Sequence, residues 1–492
     1  MSTQCCRYHK NPQERYYYQK SSREKIRVFI IADVTNNNMF ENRAKPQLVI
    51  IYGVFALILV FGTLANIGIA VASSATGETR EQVTLRVVLT DLAGQDWQVL
   101  FQPSLDELRK RHPDLDIHLN YTMFPYNITR ISLLELLSNM STSIDLASID
   151  QIWLGEFAGK GLLTDLSNMT KKWGRLSDFY EIHLDGMIYD DKIYGIWAWT
   201  DIRGMWYWKD ILNKSNVDPD SLKTWDGYLA GAKKINNTIQ AAKKEGNNTL
   251  IQSMHLNGDV GTAVDMWYPY LWMLGGSIVE SRSGHPTKGI YWFPGYNSTE
   301  GVQALGFIKK QIDIGLKPQT TLDIQFVDGK FPVMLSGSWM PSIFPDWQGV
   351  AKMVGFLPAF PVPNDSIETS TMMGGWELSI PSLSRHKDLA WELITIMLEP
   401  KILVPWLEKY GYLPTQKAIG QGNYSTELEQ SIPHYQEMIS MIELGRGRPS
   451  IPEYPQIANH INEAMDDVFS GSKEPKQALD DAAAKSAKSL GW

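Results

Sequence analysis

Four tryptophans and one aspartate lie close together in the stretch YGIWAWTDIRGMWYWKD, residues 194–210. If its first half is an extended strand, alternate side chains point the same way, so Trp197, Trp199 and Asp201 share one face. Two rings and a carboxylate on one face can hold a flat, hydroxylated ligand, because rings supply contact area and carboxylates accept hydrogen bonds. The alternative is ordinary core packing, which is common for large apolar rings.

The sequence lacks the common motifs of metal sites, phosphate-binding loops and glycoside hydrolases. The nine histidines are scattered, without an HExxH motif or the paired spacing that binds a metal. There is no Gly-Lys phosphate-binding loop, and no segment resembles a glycoside hydrolase motif although acidic residues are plentiful. A net charge of -8 argues against a nucleic-acid partner. We therefore expect no metal site, no cofactor and no enzymatic activity.

One segment is too apolar for an ordinary domain. The run LVIIYGVFALILVFGTLANIGIAVA, residues 48–72, contains no charge and is long enough to cross a hydrocarbon core of about 30 Å. Residues 1–46 carry nine Lys and Arg against four acidic residues, so the positive-inside rule places them in the cytoplasm. We expect a disordered cytoplasmic leader at 1–46, a transmembrane anchor or signal segment at 47–72, and a linker at 73–82. Cleavage after Ala72 would instead release the large outer part.

The distribution of asparagines supports this orientation. Sixteen Asn follow residue 72, and ten of them lie in Asn-X-Ser/Thr sequons, whereas none of the six earlier Asn does. Such a concentration indicates a glycosylated outer surface. The candidate acceptors are Asn120, Asn127, Asn139, Asn168, Asn213, Asn236, Asn247, Asn297, Asn364 and Asn423.

The leader leaves two questions open. Both cysteines, Cys5 and Cys6, lie in it, so no disulfide can form within the outer part. Met39 is an alternative start, because MFENRAKP would make a compact basic leader.

The outer part alternates predicted strands and helices. VTLRVVLT, residues 83–90, is typical of a buried strand, and an amphipathic helix from about 103 to 111 and a strand from about 115 follow it. Strand, helix and strand in this order predict a parallel α/β unit. Further strands are expected at 143–150, 331–339 and 376–381, and helices at 225–235, 263–276, 300–315, 385–399, 459–471 and 476–490.

Seven segments carry a family resemblance. They are LDELRKRHPDLDIHL, DLASIDQIWLGEFAGKGLLTDLS, DKIYGIWAWTDIRGMWYWKDIL, SLKTWDGYLAGAKKI, DGKFPVMLSGSWM, GGWELSIPSLSRHKDLAWELITIM and GYLPTQKAI. In this order they resemble the carbohydrate-type extracellular solute-binding proteins of ABC importers, the maltose-binding-like family. The resemblance runs from about residue 83 to the C-terminus. Trp208 replaces the family's usual Asn and Trp197 stands where the family often has Pro, which leaves the ligand open.

The resemblance implies an α/β, two-lobed periplasmic-binding-protein-like fold with hinge-connected lobes, here preceded by one transmembrane helix. Crossover strands are expected near 196–201, 334–338 and 374–378. The first lobe is expected to contain 83–196 plus 337–375, and the second 199–333 plus 378–492.

The resemblance also places candidate ligand-binding residues at strand ends and crossovers, where a cleft between the lobes must lie. Trp199 and Asp201 are assigned to the ligand, with Trp197 less certain, while Trp206 and Trp208 are assigned to the scaffold. Helix capping is the alternative for the aspartates, and core packing for the tryptophans. The ligand-binding candidates are Asp96, Trp97, Asp150, Trp199, Asp201, Trp339, Gly374, Gly375 and Trp376.

The resemblance implies the substrate-binding component of an ABC transporter, which captures a sugar or oligosaccharide and delivers it to membrane permease subunits. ATPase subunits would be indirect partners, and the protein would act as a monomer. The alternative is a glycoside hydrolase or another carbohydrate-active ectodomain. A polyol or a glycerol phosphodiester also remains open as ligand.

Overall fold

The computed structural model describes residues 80–91, 96–139, 143–259, 262–283, 290–320, 323–344 and 346–492. The expected leader and the apolar segment at 47–72 lie outside these ranges. Among the residues described, no helix is both long and apolar enough to span a membrane.

The strands alternate with helices along the chain, as the sequence predicts. The strands are β1 (Glu81–Asp91), β2 (Leu115–Pro125), β3 (Leu146–Asp150), β4 (Ile188–Tyr189), β5 (Lys192–Ile193), β6 (Ile196–Asp201), β7 (Arg203–Trp208), β8 (Leu256–Asn257), β9 (Val279–Ser283), β10 (Ile290–Pro294), β11 (Pro318–Gln319), β12 (Val333–Gly337), β13 (Val354–Leu357), β14 (Thr371–Met372), β15 (Gly374–Ser379) and β16 (Gly445–Arg446).

The helices range from single turns to the 20 residues of the seventh helix. They are α1 (Gln98–Arg111), α2 (Tyr126–Ser138), α3 (Gln151–Gly159), α4 (Ser167–Trp173), α5 (Glu181–Leu184), α6 (Lys209–Lys214), α7 (Trp225–Lys244), α8 (Ala263–Met273), α9 (Thr299–Asp313), α10 (Ile324–Val327), α11 (Met340–Ile343), α12 (Trp347–Val350), α13 (Lys387–Met397), α14 (Pro400–Tyr410), α15 (Lys417–Gly420), α16 (Tyr424–Ser431), α17 (Tyr435–Ser440), α18 (Tyr454–Phe469) and α19 (Pro475–Ser489).

A five-stranded sheet has the order β2-β1-β3-β15-β6. Strand β1 pairs in parallel with both β2 and β3, which confirms the predicted parallel α/β unit. Strand β15 lies antiparallel between β3 and β6. The carboxyl ends of β3 and β6 therefore meet the amino end of β15 at one edge of the sheet.

Helix α1 begins earlier than the sequence predicts. Pro103 was expected near the helix start, but the helix begins at Gln98 and contains this proline. The missing N–H of a proline removes one hydrogen bond in the helix interior. Burial of Leu100 and Phe101 in the core offsets that loss.

Two hydrophobic cores organise the described chain. The first core surrounds the five-stranded sheet and includes buried residues of α1, α3, α13 and α14. The second includes buried residues of α7, α8, α9, α18 and α19. A second sheet, β12-β7-β13, contributes to both cores, with Trp206 in the first and Met205 in the second.

The cores divide the chain differently from the expected lobes. Buried residues from Leu378 to Ile442 pack into the first core, although 378–492 was assigned to the second lobe. Leu357 and Phe360 pack into the second core, although 337–375 was assigned to the first lobe. The reason is the insertion of β15 between β3 and β6, which returns the following helices to the first sheet. Periodicity predicts a helix, but it does not say which sheet that helix covers.

Candidate functional site

The rings of Trp97 and Trp199 lie inside the first core. Trp199 is fully buried, and its ring centroid lies 5.2 Å from that of Trp97 and 5.4 Å from that of Trp406. Tyr412 stacks on Trp199 at 5.6 Å. Both rings are therefore buried among aromatic neighbours, which is the core-packing arrangement that the sequence leaves as the alternative.

A register shift separates Trp197 from Trp199. Trp199 pairs with Trp376 of β15, whereas Trp197 pairs with Glu377, so the residue between the two tryptophans lacks a partner. Such a bulge breaks the alternation of side chains along a strand. The Trp197 indole donates to the carbonyl of His183 at 2.8 Å, among neighbours different from those of Trp199. The two rings therefore do not form the common platform that alternation predicts.

A network of buried charges lies at the end of the sheet where β3 and β6 terminate and β15 begins. The Arg448 guanidinium donates to Asp150 at 3.3 Å and to Asp265 at 3.3 Å. Arg203, at the start of β7, pairs with Asp201, at the end of β6. These five residues, the charge network, have side chains less than 10% exposed. Asp150 belongs to the sheet of the first core and Asp265 to α8 of the second, so Arg448 joins the two cores.

Burial and ion pairing shift the pKa values of these groups in opposite directions. Burial raises the pKa of Asp150 and of Asp201, and the guanidinium groups of Arg448 and Arg203 limit the rise. Burial alone would lower the pKa of Arg448, but the carboxylates of Asp265 and Asp150 outweigh it and hold that pKa above its usual range. The arginine therefore stays charged and remains a hydrogen-bond donor.

Three aromatic rings adjoin Asp150. The Tyr126 hydroxyl donates to the Asp150 carboxylate at 3.0 Å. The Tyr126 ring stacks on Trp153 at 5.8 Å, and Trp376 stands edge-on to both. Trp376 is 5% exposed, whereas Tyr126 is 41% exposed. Tyr126 therefore connects the buried network to the protein surface.

Trp339 lies against the other end of the network. Its indole N–H donates to Asp323 at 2.6 Å, and Ser336 donates to the same carboxylate at 2.7 Å. The Arg203 guanidinium lies over the indole, 4.7 Å from the ring centroid. These contacts fix the orientation of Trp339 beside the network, although the residue is partly exposed.

The two predicted glycines have different surroundings. A Cβ on Gly374 would lie 2.6 Å from the Asp201 carboxylate and 2.9 Å from Arg203. Gly375 has φ +139°, a conformation that other residues rarely adopt, and a Cβ there would lie 2.4 Å from the Trp199 carbonyl. Only glycine fits at position 375, whereas a side chain at position 374 would displace the carboxylate of Asp201 and the guanidinium of Arg203.

Asp96 lies outside the charge network. Its carboxylate accepts from the backbone N–H of Gln98 at 3.1 Å, at the start of α1, and its own N–H donates to the Tyr410 hydroxyl at 2.8 Å. This is the helix-start role that the sequence left as the alternative. Asp150 combines both roles, because it accepts from the N–H of Ile152 at 3.4 Å as well as from Tyr126 and Arg448.

An open groove of about 1020 Å³ borders the network and is lined by residues of both cores. Gln151 and Arg448 belong to its lining, together with Tyr189, Trp292 and Glu453. Its lining contains none of the nine residues that the sequence predicts for the ligand. Among the described residues, no group of three or more His, Cys, Asp or Glu side chains could hold a metal ion.

Sequence reasoning missed Arg203, Arg448, Asp265 and Tyr126. Arg448 lies in GRGRPSIP, where an arginine between Gly and Pro gives no periodic signal of burial. Asp265 belongs to a predicted helix, but nothing in the sequence indicates that its side chain pairs with Arg448. One signal was present in the sequence: Arg203 follows the candidate Asp201 by two residues.

The chain matches the family model described as bacterial extracellular solute-binding protein over residues 105–431. It belongs to that family. The match includes four members of the charge network, and Arg448 lies beyond it.

Three relatives illustrate the breadth of the likeness. A binding protein of Brucella abortus is 25% identical over 449 residues, which cover 86% of this chain and 96% of that protein. The galactooligosaccharide-binding protein of Bacillus subtilis is 21% identical over a region that covers 75% of this chain and 82% of that protein. The ABC transporter solute-binding protein of Thermotoga lettingae, solved with α-D-tagatose, is 23% identical with a TM-score of 0.68, over 84% of this chain and 100% of that one. The structural likeness confirms the expected two-lobed periplasmic-binding-protein-like fold.

Proposed function

We propose that this protein is the extracytoplasmic substrate-binding component of an ABC transporter and that it captures a sugar or oligosaccharide between its two lobes. One observation carries the proposal. Carboxylates and guanidinium groups from both cores meet beside the ring cluster of Tyr126, Trp153 and Trp376. Rings and charged hydrogen-bonding groups in one place suit a ligand with apolar faces and many hydroxyls.

Each residue of the proposed site would contact the sugar in the way that its side chain allows. Asp150 and Asp201 accept hydrogen bonds from sugar hydroxyls, and Arg203 and Arg448 donate to hydroxyl or ring oxygens. The rings of Tyr126, Trp376 and Trp339 supply the apolar faces, and Gly374 leaves room at the strand end. If each ring contact adds about 0.5–1.5 kcal/mol, three contacts and a few hydroxyl bonds reach a micromolar affinity, about −8 kcal/mol.

The relatives support a polyhydroxylated ligand. Those of Bacillus subtilis are named for galactooligosaccharides and arabinooligosaccharides, and one structural neighbour was solved with ribitol. They are named as binding proteins, which favours this function over the glycoside hydrolase alternative.

The proposal includes the partners and the location. The protein would act as a monomer, deliver its ligand to permease subunits, and depend on ATPase subunits only indirectly. The apolar segment at 47–72 would hold the lobes outside the membrane as a single-pass anchor or be removed as a signal segment. Mass spectrometry of the mature N-terminus distinguishes these two outcomes.

Calorimetry of the purified protein tests the function. The panel contains galactooligosaccharides, arabinooligosaccharides, maltooligosaccharides, tagatose and ribitol. Saturable binding of at least one compound, recovered unchanged by mass spectrometry, is the expected result. Absence of binding across the panel, or shortening of a bound glycan, would contradict the proposal.

A further inference from the structure

The sequons differ in how they present the asparagine amide. Nine of the ten candidate asparagines are exposed, and Asn297 is half-buried. We infer that Asn247 and Asn364 are N-glycosylated in the folded protein and that Asn297 is not. This inference concerns a covalent modification and is independent of the ligand.

Asn247 lies at the end of α7, where Gly246 with φ +87° stops the helix. The N–H of Asn247 closes the helix end on the carbonyl of Ala242 at 2.9 Å. Its side-chain Oδ1 accepts from the N–H of Thr249 at 3.1 Å. The amide nitrogen Nδ2 has no partner among the described residues, and residues 244–249 are all exposed. The acceptor nitrogen and the threonine at the third sequon position are therefore both open to an enzyme.

Asn364 presents the same geometry in the loop between β13 and β14. Its Oδ1 accepts from the N–H of Ser366 at 3.0 Å and from the Ser366 hydroxyl. Both residues are exposed, and Nδ2 has no partner in the part of the chain that the structure describes. Two unrelated loops thus share one contact, in which the asparagine oxygen accepts from the N–H two residues later and the nitrogen stays free.

Asn297 has the reverse arrangement. Its Nδ2 donates to the Asp480 carboxylate of α19 at 3.0 Å. Because the acceptor nitrogen is bonded inside the fold, an enzyme would have to break this contact before it could modify the residue.

The reaction requires a free nitrogen. Nδ2 forms a bond to the anomeric carbon of a lipid-linked oligosaccharide donor. The bond from that carbon to the lipid phosphate breaks, the phosphate leaves with the electron pair, and the amide proton passes to a base of the transferase. A nitrogen held by a carboxylate is shielded from this attack, whereas one exposed at a turn is not.

Glycopeptide mass spectrometry tests the inference on protein purified from the cells that produce it. We expect a glycan mass on peptides that contain Asn247 and Asn364 and none on the peptide that contains Asn297. Asn248 is an internal control, because Leu250 rather than Ser or Thr stands two residues after it. Unmodified Asn247 and Asn364, or equal modification of Asn297, would overturn the inference.

Two variants separate the sequon from other causes. Thr249→Ala removes the sequon and should abolish the glycan on Asn247, whereas Thr249→Ser retains it and should keep the glycan. The occupancy of Asn364 serves as reference in both variants. A glycan that persists on residue 247 in Thr249→Ala would contradict sequon-dependent transfer.

Discussion

Tyr126 connects the protein surface to the buried charge network. The ring is 41% exposed, yet its hydroxyl donates to Asp150 at 3.0 Å. Trp199 and Trp97, by contrast, are candidates whose rings are enclosed by other rings. Because Tyr126 is both exposed and bonded to the charge network, we propose it as a ligand contact in addition to the residues that the sequence predicts.

Tyr126→Ala should weaken binding of the compound found in the panel at least tenfold, because the variant loses both the ring and the hydroxyl. Its melting temperature should fall by only a few degrees, since 41% of the residue is exposed. Tyr126→Phe keeps the ring and should lose less affinity. Calorimetry on both variants measures this, and unchanged affinity in Tyr126→Ala would remove the residue from the site.

Glu377 should make stability depend on pH. It is fully buried, and neither carboxyl oxygen has a hydrogen-bond partner among the described residues. Burial, with the nearby charge of Asp150, raises its pKa well above the ordinary 4.5. Between the unfolded and folded pKa values the folded protein holds a proton that the unfolded chain has released. The free energy of unfolding contributed by this group therefore falls as pH rises through that window.

Glu377→Gln has no proton to lose, so it should melt at least about 2 °C higher than the wild type at pH 8. The difference should become small at pH 4, where the carboxyl is mostly protonated in both states. Calorimetric melting at the two pH values checks this. An equal difference at both would point to packing as the cause.

At the scale of elements, β15 determines the site. It pairs with β3 on one side and β6 on the other, and so brings Trp376 opposite Asp150. The register shift beside Trp376 is accompanied by the φ of +139° at Gly375. Because the bulge and the glycine lie together, the strand can turn its first residues toward the charge network.

Gly375→Ala should destabilise the protein by roughly 1–3 kcal/mol, because its backbone conformation is strained for any residue with a Cβ. Gly306→Ala is the matched control. This glycine lies inside α9 with nothing within 4 Å of an added Cβ, so alanine should stabilise by about 0.5–1 kcal/mol. Denaturant unfolding measures both variants. Two effects of the same sign would contradict the strain argument.

At the scale of the whole molecule, Arg448 ties the lobes together. Its guanidinium pairs with Asp150 of the first core and Asp265 of the second, within a segment that joins helices of the two cores. Closure about hinges is a recurring mode of conformational change in two-lobed binding proteins. The pairing of Arg448 should therefore influence how easily the lobes separate.

Arg448→Met should open the molecule and leave Asp150 and Asp265 without their cation, at a cost of about 3–5 kcal/mol in stability. Small-angle scattering should show a larger radius of gyration. Arg446→Met, two residues earlier and exposed, should change neither quantity. An unchanged radius in Arg448→Met would show that this pairing does not hold the lobes.

The amino-acid sequence was sufficient to predict the family, the alternation of strands and helices, and the positions of most elements. These properties depend on local patterns, such as the apolar run of β1 and the periodicity of α9, and on motifs in a fixed order. It also placed Asp150, Asp201, Trp339 and Trp376 at strand ends. Which of these candidates lie next to one another became clear from the folded chain. The bulge in β6 and β15, the return of α14 to the first sheet, and the pairing of Arg448 depend on contacts between residues far apart in sequence, which neither periodicity nor residue type encodes.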